Sequence, residues 1–168
     1  MIALKHVLVA TDFEPASESA LTYGRALARA FHGRLTLVHV TEDIVAKLLA
    51  AAATSAYAGD LRKAQADLQA DTLSRLEALL SDEDRRDLQA QAISLTSNSI
   101  AGAIVDCAES SRADLLILGT HGRGMVRHLM LGTVAERVVR TAPCPVLTVR
   151  HPEHEFVLPD ALQTIAHT

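Results

Sequence analysis

The sequence predicts an α/β domain built as a doubly wound sheet of five parallel strands. Three observations carry this expectation. Short, continuous apolar runs of strand length recur along the chain, and segments with helical spacing separate them. The first strand–helix–strand unit is also complete within about 40 residues, the size of a parallel crossover.

Val7-Leu8-Val9-Ala10 is the first run, rich in β-branched residues and apolar without alternation, as a strand covered on both faces requires. Thr11-Asp12-Phe13-Glu14-Pro15 ends it, and Pro15 suits the first turn of a helix, where a missing N–H costs nothing. Ala20, Leu21, Gly24, Leu27, Ala28 and Phe31 then recur at helical spacing, and Gly33 is placed to stop the helix. Leu35 to Val40 forms the second buried strand.

Residues 41–84 are patterned differently and form a variable helical segment. Ile44, Val45, Leu48 and Leu49 mark one helical piece; Leu61, Leu68, Leu76, Leu79 and Leu80 mark a longer one. The stretch from Ala50 to Ala58 reads as a break or mobile connection, although its alanines also suit continued helix. This segment covers the sheet or offers a docking surface for a partner. Leu88 to Leu95 is polar at every second residue and reads as a third strand near an edge. Ser97, Asn98 and Ser99 offer caps for a helix whose buried stripe is Ile100, Ile104, Val105 and Ala108. Asp114 precedes the fourth strand, Leu115 to Leu118. The last helix is broken by Ala142-Pro143-Cys144-Pro145, and Val146 to Val149 makes the fifth strand.

The domain therefore occupies 1–150, with 151–168 a flexible or capping tail. Its His151 and His154 form one His-x-x-His pair without the acidic or thiol partners a metal site needs, and no metal ligand is assigned. A net charge of −4 and a pI near 6.0 argue against nucleic acid as a partner, and the absence of Trp argues against base-stacking platforms. No apolar stretch approaches the roughly 20 residues of a membrane span. Met1 to His6 begins a strand and not a signal peptide, and Cys107 and Cys144 read as reduced thiols. The expectation is a soluble cytoplasmic protein.

In open sheets of this class a ligand sits outside the carboxyl ends of the strands, where strand order reverses. After the fourth strand the chain carries Gly119-Thr120-His121-Gly122-Arg123-Gly124 and, further on, Gly132-Thr133. Glycines let a ligand approach the backbone, and the amino end of the following helix offers free N–H groups and a partial positive charge. Thr133 to Glu136 matches a capping box, with Thr133 the expected N-cap; Arg123, Arg127 and His128 add positive charge. These residues make either an anion cradle or an ordinary capped turn, and Glu136 would set a negative charge close to any phosphate. The loop lacks the Gly-Lys-Ser/Thr ending of a Walker loop and does not follow the first strand, as a dinucleotide fingerprint would.

Gly119-x2-Gly122-x9-Gly132-Thr133 resembles the G-x2-G-x9-G-[S/T] nucleotide loop of the universal stress protein family. The similarity extends to Val7 through Asp12, to Asp114 through Gly119 and to Pro143 through Val149, and covers roughly residues 3–150. It implies a Rossmann-like, adenine-nucleotide alpha hydrolase-like domain: a five-stranded parallel sheet in the order 3-2-1-4-5 with helices on both faces. It also implies ATP as ligand, with or without magnesium, since the family's ATP binders keep the full glycine loop. By position, Asp12 would meet the adenosine portion, with Ala10 and Thr11 lining that side, and the backbone of Val40 would contact adenine. Gly119, Gly122, Arg123, Gly132, Thr133 and Val134 would surround ribose and phosphates. The resemblance implies a homodimer pairing through Val146 to Val149. Ser97-Asn98-Ser99 departs from the Gly-x-Pro turn of many relatives. From its residues alone, Asp12 also reads as a cap for the first helix or its turn.

The function expected is that of a nucleotide-dependent stress-response regulator whose protein partner the sequence does not name. Two other readings stand beside it: a dimeric interaction module that binds no nucleotide, and a slow ATPase or self-phosphorylating protein. For the latter, Asp12 and His121 are near the loop, but no nucleophile and base are arranged, so no catalytic residue is assigned.

Overall fold

The apolar run at the amino end becomes the middle of the sheet. β1 (His6–Ala10) is buried along its whole length, between β2 (Arg34–Thr41) and β4 (Leu115–Gly119). β3 (Gln91–Thr96) lies outside β2 and β5 (Val146–Val149) outside β4, all parallel, in the order β3-β2-β1-β4-β5. The computed structural model describes residues 3–50, 58–120 and 132–150. Among the described residues six helices connect the strands: α1 (Pro15–Phe31), α2 (Ile44–Ala50), α3 (Ala58–Leu79), α4 (Asp82–Asp87), α5 (Ile100–Ser110) and α6 (Thr133–Thr141).

Because side chains alternate along a strand, each strand feeds two cores. Val7, Val9, Leu35, Leu37 and Ile117 face one way and pack with α1, with Leu76 of α3 and with Leu80 just after it. Leu8, Val38, Leu116 and Leu118 face the other and meet Ile104 and Ala108 of α5 and Ala135 and Val138 of α6. Gly24 lets α1 lie close on β1, since a Cβ there would run into the Val9 side chain.

Several boundaries differ from expectation. α1 ends at His32, which takes the left-handed conformation (φ 52°) expected of Gly33. Gly33 has a different constraint: a Cβ there would strike the Leu4 carbonyl. The third strand begins at Gln91 and not at Leu88. Leu88 is the C-cap of α4, a helix the hydrophobic pattern does not reveal, and its carbonyl accepts the Leu35 N–H at 3.0 Å. α4 is held by a capping box between Ser81 and Asp84, and buried Asp84 pairs with Arg25 (2.9 Å) and Arg29 (3.2 Å) of α1. Ser99 is the N-cap residue of α5 but makes no capping bond through its side chain; the Ser99 N–H instead donates to the Ser97 hydroxyl at 3.0 Å. Of the expected break from Ala50 to Ala58, Ala50 ends α2 and Ala58 begins α3, and 51–57 lie outside the described residues, as does the tail 151–168.

At the amino-terminal edge of the sheet His6 is buried. Its Nε2 lies 2.8 Å from the Thr36 hydroxyl and its Nδ1 3.1 Å from Arg34. The opposite edge, where strand order reverses between β1 and β4, is the open one.

Candidate functional site

A cleft of about 800 Å³ lies at the carboxyl ends of β1, β2 and β4. That volume falls within the range of small-molecule sites, roughly 300–1,000 Å³. Its base is formed by Ala10, Thr11 and Asp12 after β1, Val38 and Val40 of β2, and Leu118 and Gly119 of β4. The first turn of α6 makes one wall, with Thr133, Val134 and Ala135; Ile100 and Ile104 of α5 continue it as an apolar slot. α3 makes the opposite wall with Leu68, Thr72 and Arg75, one face of the helix at i, i+4 and i+7.

The turn after β1 is fixed by a chain of hydrogen bonds with one consistent direction. The Phe13 N–H donates to the Thr11 hydroxyl (3.0 Å), and the Ser17 hydroxyl donates to the Glu14 carbonyl (2.8 Å). The Thr11 hydroxyl therefore donates to Ser17 Oγ across 2.9 Å. Asp12 accepts the Glu14 N–H at 3.1 Å, so it does close the turn before Pro15; its second carboxylate oxygen has no hydrogen bond among the described residues. One oxygen serves the turn while the other is left for the cleft it lines.

Gly119 has a specific steric reason. A Cβ there would lie 2.9 Å from Ala16 Cβ and 3.0 Å from the Ala16 carbonyl carbon. β4 can therefore reach the start of α1 only as glycine. Beyond it, the Thr120 N–H binds the Val149 carbonyl (2.8 Å) and the Gly132 N–H binds the Thr120 carbonyl (2.7 Å). These bonds seat the amino end of α6 beside the end of β4.

The capping box expected at Thr133 does not form. Gly132 is the N-cap and makes no side-chain cap bond; Thr133 is the first helical residue and exposed. Glu136 turns to Arg140 one turn on, at 2.8 Å, a favourable i,i+4 pair that competes with reaching back. Its carboxylate does not line the cleft. The first-turn N–H groups of Thr133, Val134 and Ala135 have no hydrogen-bond partner among the described residues, as the geometry of a helix start dictates.

Of the residues expected to hold a ligand, Ala10, Thr11, Asp12, Val40, Gly119, Gly132, Thr133 and Val134 line this one cleft. Gly122 and Arg123 lie outside the described residues, as do His121, Arg127 and His128. Sequence reasoning missed Phe13, His39, Thr72 and Arg75. Leu68 and Arg75 stand at helical spacing, but an arginine on a polar helix reads as a solvated one. Nothing in the sequence marks Phe13 as holding a left-handed backbone (φ 65°) with its ring 4.8 Å from that of His39.

Residues 3–150 match the family model described as the universal stress protein family. The chain belongs to the universal stress protein family. This universal stress protein is 33% identical over 147 residues to the Thermus aquaticus protein described as a universal stress protein in a QAH/OAS sulfhydrylase 3′ region; the match covers 87% of the chain and 98% of that relative. A shorter stretch of 55 residues is 47% identical to universal stress protein MJ0531 of Methanocaldococcus jannaschii, covering 33% of this chain and 32% of that one.

Among solved structures it resembles MJ0577 of the same organism, with a TM-score of 0.71 at 22% identity, covering 91% of this chain and 100% of that one. It also resembles a universal stress protein solved in complex with cAMP (TM-score 0.54, 22% identity, 88% and 98% covered). The Archaeoglobus fulgidus universal stress protein in complex with dAMP is similar to the same degree (TM-score 0.54, 21% identity, 89% and 99% covered). These likenesses establish the Rossmann-like α/β fold. Among the described residues no helix is long and apolar enough to cross a membrane.

Proposed function

We propose that this universal stress protein binds ATP in the cleft and acts, as a homodimer, as a nucleotide-dependent regulator of a stress response. The observation that carries the reading is one cleft joining an apolar slot, a carboxylate at the end of β1 and three helix-start amides that have no partner among the described residues. The slot between Val40 and Ile104 suits a flat purine. The free oxygen of Asp12 suits a ribose hydroxyl, and the amides of Thr133, Val134 and Ala135, at the positive end of α6, suit phosphate oxygens. The ion pair of Glu136 with Arg140 supports the same reading, because it draws off the charge that would oppose a phosphate. The complexes of two structural neighbours with cAMP and dAMP add support from proteins of the same fold. Magnesium, where it accompanies ATP, would be carried on the phosphates and screen their charge.

The dimer part of the proposal rests on β5. It is an edge strand, and its outer row of N–H and C=O groups is a template for pairing with a second copy.

Two measurements test the proposal. Acid extraction of purified protein should release an adenine nucleotide, and added ATP should raise the melting temperature. At a hundredfold excess over Kd the gain is about 2.7 kcal/mol, or about 5–10 °C for a chain of this size. Neither bound nucleotide nor an ATP-dependent shift would remove ATP from the reading. A light-scattering mass of one chain, 18.0 kDa, at working concentrations would remove the homodimer.

A further inference from the structure

We propose that the α3 wall of the cleft is a second anion subsite centred on Arg75, so that an adenine nucleotide held at its 5′ end binds more tightly when its ribose also carries a phosphate. The inference rests on the nucleotide reading above and narrows its ligand class.

Among the described residues, Arg75 is the only lysine or arginine that lines the cleft. Of the two acids that line it, Glu42 pairs with Lys47 at 2.7 Å, and Asp12 gives one oxygen to the turn before α1 and keeps the other for a ribose hydroxyl. The described ion pairs include none to Arg75. What holds it is a stack: its guanidinium carbon lies 4.1 Å from the centre of the Phe13 ring. Stacking uses the face of the guanidinium and leaves its in-plane N–H donors unspent, the fork that matches two oxygens of a phosphate.

The platform under Arg75 is itself constrained. Phe13 holds φ at 65°, an uncommon state for a bulky residue, and its N–H is tied to the Thr11 hydroxyl. His39 packs on the same ring and lies 2.7 Å from the Thr11 carbonyl through Nδ1. A carbonyl only accepts, so Nδ1 carries a proton and the ring is fixed in orientation against Phe13.

The two anion seats lie on opposite sides of the sheet. α6 packs with α5 over one face, whereas α3 covers the other, and Asp12 ends the strand between them. A nucleotide with its 5′ phosphate on the α6 amides and its ribose at Asp12 presents a 2′ or 3′ substituent to Arg75. A fork of cationic donors held on Phe13, next in the chain to Asp12, is the complement of a phosphate on that ribose.

The test is isothermal titration of the full chain with AMP, adenosine 3′,5′-bisphosphate and adenosine 2′,5′-bisphosphate. The wild type should bind one of the bisphosphates about 10- to 100-fold more tightly than AMP, the range for hydrogen bonds to a charged group. In Arg75→Gln that ratio should fall close to one. Arg75→Lys keeps the charge but not the stack or the fork, and should give an intermediate ratio. Arg62→Gln removes one charge from the exposed first turns of α3 and should leave the ratio as in the wild type. If AMP binds and neither bisphosphate binds more tightly, or if Arg75→Gln keeps the wild-type ratio, the subsite is refuted and the nucleotide reading stands. If the wild type binds none of the three and does not respond to ATP, the nucleotide reading fails and takes the subsite with it.

Discussion

Replacing Asp84 by alanine should lower the stability of the fold by about 3 kcal/mol, seen as a fall in melting temperature of about 6–12 °C. The side chain of Asp84 is 1% exposed and closes several contacts at once. Its Oδ2 accepts from Arg25 Nε at 2.9 Å and from the Ser81 N–H at 3.1 Å, and its Oδ1 accepts from Arg29 at 3.2 Å. Removing one partner of a buried pair costs about 3–5 kcal/mol, because the other charge is stranded. Here the lower end applies, since Arg25 and Arg29 reach solvent and can rehydrate. The helix cap contributes about 1 kcal/mol of the loss.

Burial would raise the pKa of Asp84. The Ser81 backbone, Arg25 and the Ser81 hydroxyl more than offset it and hold the carboxyl below its ordinary 3.8. The contribution is therefore complete above about pH 3.8 and is lost as pH falls through the lowered folded value. Asp84→Asn, which keeps an acceptor but not the charge, should lose less than alanine. A melting temperature unchanged within about 2 °C in Asp84→Ala would show that this junction does not hold α4 to α1.

The second large effect is expected at Gly119. Its missing Cβ faces the backbone of Ala16 and, at 3.1 Å, the Ser17 nitrogen, and neither can give way as the end of a side chain would. Valine must therefore part β4 from the first turn of α1. Overpacking of this kind costs about 1–3 kcal/mol. It also strikes the segment that carries the Thr11–Ser17 hydrogen bond. Gly119→Val should accordingly melt lower and should lose the ATP-dependent rise altogether, while circular dichroism still reports the α/β fold. If ATP stabilises the variant as much as the wild type, the nucleotide is bound elsewhere.

What could be read from sequence followed burial. β1 is apolar at every position because the sheet covers it on both faces, so its run stands out. The run before the glycine loop is visible for the same reason. The order of the strands came from the family resemblance, since periodicity does not say which strand lies beside which. α4 was hidden because its six residues are all charged, and it is held by Ser81 and by Asp84 reaching two arginines some 55 to 59 positions earlier. The cap of α1 is His32 and not Gly33, whose constraint is the approach of Leu4, a contact between distant parts of the chain.

The same division runs through the cleft. Gly119 and Gly132 could be named from their spacing, because spacing is what a ligand loop needs. Thr133 reads as a cap in the sequence because a four-residue pattern cannot register that Glu136 pairs with Arg140. Arg75 and Phe13 stand 62 positions apart and meet only once α3 folds over the end of β1.

The bond between the Thr120 carbonyl and the Gly132 amide has a consequence for the thermodynamics of binding. It joins the two ends of the segment 121–131 within the protein, so the entropy of closing that loop is already spent in the unliganded state. The amides of α6 are thus held in place before a ligand arrives. Loop-closure entropy also varies slowly with length. A residue added or removed between 121 and 131 should change which contacts the loop offers far more than it changes where α6 begins.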